Sequence, residues 1–160
     1  MDITLVDVGG ERSERKKWLS CFESVHAVLF VASLAEYDLY MEDEPETIQL
    51  IDSLRLYESI CNLKWFSHTA LILFLNKKDV FTRKIKTIGL EVCFPEYDGL
   101  PRSYENATIY IWQQFEKQCK LDRVIYRHFT CARDRENITK VFKSVKDDVM
   151  RLCLNHLGLC

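Results

Sequence analysis

Glycine is scarce in this 160-residue sequence: the five stand at 9, 10, 89, 99 and 158. No G-x-x-x-x-G-K-[ST] phosphate loop can be written with that set. An excess of one charge is also missing. Twenty-two Lys and Arg face 24 Asp and Glu, a net charge of −2, which argues against a dedicated nucleic-acid binder. No apolar run approaches the roughly 18–20 residues of a membrane-spanning helix. Repeats and low-complexity stretches are absent. The seven cysteines, at 21, 61, 93, 119, 131, 153 and 160, form no C-x-x-C pair, and their number is odd. Zinc sites and a secreted disulfide framework are therefore poorly supported, and buried reduced thiols are the expectation. Asn106-Ala107-Thr108 and Asn137-Ile138-Thr139 match the glycosylation pattern. With no signal-like N-terminus they are expected to be chance matches.

What is present is an alternation of short apolar runs with helix-periodic segments. The apolar fraction of 48% and charged fraction of 29% are those of an ordinary globular domain, and the length is enough for a core. Ile3–Val8, His26–Ser33, Thr69–Leu75 and Val124–Cys131 read as buried strands. Residues 12–20 suggest a short irregular helix. Pro45 is expected to open a helix to about Cys61, and a short one should run from Val80 to about Lys86. Longer helices are predicted from about Ser103 to Cys119 and from about Glu136 to Leu154. In the last, Ile138, Val141, Phe142, Val145, Val149, Leu152 and Cys153 share a stripe. Continuously apolar strands joined by helices imply an α/β fold, a parallel sheet with helices on both faces.

Ligands in such folds bind at the carboxyl ends of the strands, and three of these ends carry polar residues. At Asp7-Val8-Gly9-Gly10 a carboxylate can hold hydrated Mg²⁺, and a glycine N–H can approach a phosphate. The same residues also read as a plain Gly-Gly turn. At Asn76-Lys77-Lys78-Asp79 an amide can bond a purine edge, and a carboxylate can accept the N1 and N2 hydrogens of guanine. The alternative is a charged helix start capped by Asp79. At Thr130-Cys131-Ala132 a backbone N–H can reach the purine oxygen, although the triplet alone is an ordinary strand end.

Order and spacing make the three together specific. The run from Asp7 through Gly9-Gly10-Glu11-Arg12 to Lys17-Trp18 resembles switch II of heterotrimeric G-protein α subunits. Asn76-Lys77-Lys78-Asp79 is similar to their guanine-specificity motif, and Thr130-Cys131-Ala132 to their second guanine loop. Lys64-Trp65-Phe66, Phe94-Pro95-Glu96-Tyr97 and Gly158-Leu159 also resemble that family.

The resemblance implies a GTP/GDP switch with Mg²⁺. Asp7 would hold the ion through a water, and the Val8-Gly9-Gly10 turn would meet the γ-phosphate with the Gly10 N–H. Asn76 and Asp79 would read guanine, with the Lys77 stem along the base, Lys78 in the same motif, and the Cys131-Ala132 backbone closing the pocket. Glu11 stands at the catalytic position where the family carries a glutamine that orients the attacking water. A carboxylate cannot donate as an amide does, and its charge faces the γ-phosphate, so hydrolysis is expected to be impaired.

The implied partners are the βγ dimer, a G-protein-coupled receptor and an effector such as adenylyl cyclase, at the cytoplasmic face of the plasma membrane. Lys17, Trp18 and Cys21 are candidate βγ contacts, Trp65-Phe66 an effector contact, and Leu157-Gly158-Leu159-Cys160 the receptor-facing tail. The family's first strands, phosphate loop, inserted helical domain, switch I and catalytic arginine have no counterpart in residues 1–160. The expected fold is therefore a truncated Ras-like GTPase domain. In the family's sheet order, residues 3–8 lose both ladder partners and 26–33 lose one. The expectation is a three-strand, four-helix body over 24–160 with 1–20 poorly anchored. Three functional readings stand side by side: a receptor-coupled nucleotide switch, a non-catalytic fragment that binds receptor, effector or βγ, and an incomplete gene model.

Overall fold

A computed structural model describes residues 4–10, 13–15, 18, 25–67 and 69–156. Within them the order is β1 (Ala27–Ser33), α1 (Gln49–Cys61), β2 (Ala70–Asn76), α2 (Lys78–Lys84), α3 (Tyr104–Gln118), β3 (Ile125–Phe129) and α4 (Arg135–His156), with three single-turn 3₁₀ segments between. The strands form one parallel sheet in the order β1-β2-β3. Register sets Ala27 beside Ala70 and Ser33 beside Asn76, then Leu71 beside Ile125 and Leu75 beside Phe129. All carboxyl ends therefore meet at one edge.

The central strand is apolar on both faces because both are covered. Leu71, Leu73 and Leu75 join Phe30 and Ala32 under α1 and α3, where Leu54, Tyr57, Ile111 and Phe115 complete the larger core. Ile72 and Phe74 meet Val141, Val145 and Val149, spaced four apart along α4. The predicted architecture is thus observed, with three strands and four helices. The α4 stripe is narrower than predicted: Phe142 is exposed, although its ring still meets Phe74 edge-on at 5.9 Å. Val31, on the α4 side of the edge strand, is 55% exposed.

The structure corrects several boundaries. Residues 4–8 of the strand predicted at 3–8 join no ladder, and Leu5 and Val6 are 68% and 62% exposed. β propensity alone forms no strand where no neighbour accepts its hydrogen bonds. The helix expected from Pro45 starts at Gln49, because Tyr40 and Ile48 form an antiparallel bridge and Met41 N–H donates to Thr47 O at 2.8 Å. That bridge holds Ile48 extended at φ −75, ψ 137, outside the helical region. α2 starts at Lys78, two residues early, because Lys77 turns the chain with φ 59. α3 starts where predicted, with Ser103 as N-cap accepting the Asn106 N–H at 3.3 Å.

His128 on β3 yields a pH prediction. Its ring meets Phe74 edge-on at 5.7 Å, and Nε2 is buried without a partner. Burial lowers its pKa, opposed by Asp148 on α4. The folded state therefore favours the neutral ring, while the unfolded chain takes up a proton near its ordinary pKa of about 6.5. Stability is fully present above that pH and falls as pH drops towards the folded value. Melting temperatures at about pH 7 and about pH 5 should differ less in His128→Gln than in the parent. An equal difference would remove His128 as a cause.

Candidate functional site

The loop after β2 and the loop after β3 are tied together. Thr130 N–H donates to Leu75 O at 2.9 Å, and Lys78 N–H to Thr130 O at 3.2 Å. Asn76 makes the side-chain link: its Oδ1 accepts from Thr130 Oγ1 at 3.0 Å and from the Ala132 N–H at 3.2 Å. Its Nδ2 donates to no group among the described residues, so a donor is presented next to the loop. The Cys131 N–H is taken by Asn137 Oδ1 at 3.0 Å, and the Asn137 N–H by Asp134 Oδ1 at 3.0 Å, which shapes the turn into α4.

Asp79 lies in the first turn of α2 beside Cys131. A hydrogen bond from the Cys131 side chain holds its carboxyl below the usual carboxylate range; some desolvation opposes this, and the Val80 N–H and Arg83 add to it. At neutral pH it is ionised and accepts hydrogen bonds only. Lys77, in the left-handed region, extends to Glu36 with Nζ to Oε1 at 3.1 Å. That pair crosses from the β2 end to the turn after β1 and fixes the course of the lysine stem. A cleft of about 610 Å³ opens beside Asp79 and Cys131, bordered by Lys78, Thr82, Arg102 and Tyr104.

At the other end, Asp7 Oδ1 accepts the Gly9 N–H at 3.2 Å. Gly9 has φ 72, a left-handed backbone that L side chains rarely adopt and that favours glycine. A Cβ at Gly10 would meet nothing within 4 Å. Trp18 Nε1 donates to Val8 O at 3.2 Å and Gly9 O at 2.9 Å, closing this turn from the far side. A second cleft of about 1070 Å³ lies between Gly10 and Arg15 on one side and Glu36, Gln49 and Asp52 on the other. Arg15 reaches Asp52 across it at 3.9 Å.

A protein-family model, G-protein alpha subunit, matches residues 1–149. The chain belongs to the G-protein α subunit family. Its members bind GTP and GDP and transmit signals. Against that family, the polar strand ends are brought together at 76–79 and 130–132 by direct bonds, while 7–10 forms a separate turn. Asp79 offers acceptors only, and Asn76 offers an amide donor unengaged among the described residues. A Mg²⁺ site is a different matter. Among the described residues no group of three or more His, Cys, Asp or Glu can hold a metal, and Asp7 is already bonded to its own turn. These residues do not make that site by themselves.

Of the residues expected to contact partners, Trp65 is 62% exposed, whereas Phe66 is buried in the core and offers no surface. Trp18 is half-buried against the core. Glu11, Lys17, Cys21 and Leu157–Cys160 lie outside the described residues. No described helix is long and apolar enough to cross a membrane. Sequence reading missed Glu36 and Asn137. Glu36 left no signal, since 41 residues separate it from Lys77. Asp134 and Asn137, spaced three apart before an apolar stripe, carry a capping pattern that could have shown Asn137.

Proposed function

We propose that this chain reads the guanine of GTP or GDP as part of a G-protein α subunit acting downstream of G-protein-coupled receptors. The observation that carries the reading is that the loops after β2 and β3, tied together through Asn76 Oδ1, present both the ionised Asp79 and the unengaged Asn76 Nδ2. Asp79 accepts the N1 and N2 hydrogens, Asn76 donates to N7, and the Lys77 stem covers the ring. Lys78 sits between them as the first residue of α2. The Cys131-Ala132 backbone reaches O6 when the base displaces Asn76 Oδ1 from the Ala132 N–H. Asp7, Val8, Gly9 and Gly10 face the phosphate end, and Glu11 at the catalytic position slows hydrolysis. The βγ dimer meets the Lys17-Trp18-Cys21 segment, an effector such as adenylyl cyclase meets Trp65, and the receptor meets Leu157–Cys160, all at the cytoplasmic face of the plasma membrane.

A second reading is favoured by a different observation. Glycines only at 9, 10, 89, 99 and 158 leave no phosphate loop within these 160 residues. A non-catalytic binding role toward receptor, effector or βγ needs none. Titration of the chain with fluorescent GDP, in competition with unlabelled GDP and ADP, separates the readings. Saturable binding displaced by GDP and not by ADP supports guanine recognition. Equal displacement by ADP sinks it, and no binding leaves the interaction role as the better account.

A further inference from the structure

The other end of the sheet holds polar chemistry that nucleotide recognition does not use. There the carboxyl ends of α1 and α3 are clamped by Asn62. Its Nδ2 donates to Glu58 O and Gln118 O, both at 2.8 Å, and its Oδ1 accepts the Lys120 N–H at 2.8 Å. Lys120 Nζ adds an ion pair to Glu58 at 2.9 Å. The clamp brings two thiols together: Cys61, the last residue of α1, and Cys119, the residue after α3. Asn62 bonds the residues on both sides of Cys119 as well as the Cys61 sulfur, so the two thiols are neighbours; Cys61 Sγ donates to Glu58 O at 3.6 Å and Cys119 Sγ to Leu121 O at 3.7 Å. Cys61 is fully buried and also takes the Asn62 Nδ2 bond at 3.4 Å, whereas Cys119 is partly exposed.

Arg123 faces the same group. One of its nitrogens donates to Thr69 O, just ahead of β2, while Nε and Nη1 are buried with no partner. The Tyr57 hydroxyl, near both cysteines, is likewise buried and unpartnered. Two buried guanidinium nitrogens, with three hydrogens between them and no acceptor, are costly, and an anion beside them relieves that cost. Both thiols are free.

We propose that Cys61 and Cys119 form a redox pair that a peroxide converts to a disulfide joining α1 to α3. Cys119 reacts first, being the accessible thiol; burial pushes the Cys61 thiol up to about 12 and keeps it protonated. The Cys119 thiolate attacks one oxygen of hydrogen peroxide. An S–O bond forms, the O–O bond breaks, and the departing hydroxide takes the proton released by Cys119 to leave as water. The Cys61 sulfur then attacks the sulfenic sulfur. The S–S bond forms, the S–O bond breaks, and hydroxide leaves with the Cys61 proton as a second water. The two sulfurs together give up two electrons, which the peroxide accepts. The positive charge of Arg123 lies beside Cys61.

The test is peptide mapping of the 160-residue chain, alkylated without reduction before and after treatment with hydrogen peroxide. The expected product is a Cys61–Cys119 linked peptide pair, two hydrogens lighter than the separate peptides and restored by a thiol reductant. The bond closes a long loop, so the oxidised chain should melt roughly 5–10 °C higher than the reduced one. Cys93→Ser should leave the product unchanged, and Cys119→Ser should abolish it. Full alkylation of both cysteines after peroxide, or their linkage only to other cysteines, overturns the proposal. So does oxidation of Cys119 to a sulfinic acid with Cys61 still free.

Discussion

Alanine at position 79 is expected to lower the affinity of the chain for GDP by roughly two to three orders of magnitude. The reason is the pairing at that position. Asp79 is kept ionised, first by the Cys131 side chain and then by the Val80 N–H and Arg83, so both of its oxygens are acceptors. Guanine presents two adjacent hydrogens, at N1 and N2. Truncation leaves both unpaired in a desolvated pocket, the costly half of hydrogen-bond energetics. Asp79→Asn makes the sharper experiment. Its amide offers one donor in place of an acceptor, which opposes the guanine N2 hydrogens and suits the 2-oxo group of xanthine. The preference between GDP and its xanthosine counterpart should therefore narrow or invert, while urea unfolding is little changed because Asp79 lies at the edge of α2 outside the core. Competition against a fluorescent GDP reads both variants. If Asp79→Ala binds GDP as tightly as the parent, Asp79 does not read the base.

The residues proposed for this chemistry stand out in the sequence, and the bonds that join their loops do not. Asn76 and Asp79 could be named because a polar cluster closing a continuously apolar strand is a local signal. Leu71–Leu75 and Ala27–Val31 read correctly as strands for the same reason: composition follows burial on two faces. Residues 4–8 have equally β-prone composition, yet they pair with nothing described, since a strand exists only with its neighbour. Pro45 carried a true helix-start signal that was outweighed by the Tyr40–Ile48 bridge, a contact no local rule contains. The positive φ of Lys77 is invisible in a residue type that rarely adopts it. The bonds from Asn76 to Thr130 and Ala132 span 54 and 56 residues, so only the folded sheet reveals that the loops after β2 and β3 are one unit. Phe66 was misjudged as a surface contact because a Trp-Phe pair does not say which ring turns inward.

The largest effect on stability is expected from Phe115→Ala. Phe115, on α3, is fully buried and packs edge-on against Tyr57 of α1, with ring centroids 5.2 Å apart. Tyr57 meets Phe30 of β1 in the same manner at 5.2 Å, and Phe115 lies 6.4 Å from Phe30. This trio joins both helices to the edge strand, where a flanking strand is lacking among the described residues. Removing one ring forfeits its transfer energy and leaves a cavity that two other rings fill poorly, a cost of about 3–5 kcal/mol. Domains of this kind have only about 5–15 kcal/mol in total, so the variant stands near the edge of folding. Urea unfolding should show a midpoint far below the parent with an unchanged slope. Trp65→Ala, at an exposed ring of similar size, should shift it by less than about 0.5 kcal/mol. Tyr57→Phe separates packing from polarity. It keeps the ring and deletes only a buried hydroxyl that has no partner, so it should be neutral or slightly stabilising. If Phe115→Ala and Trp65→Ala cost the same, the helix-covered face is not the core that holds β1 to the sheet.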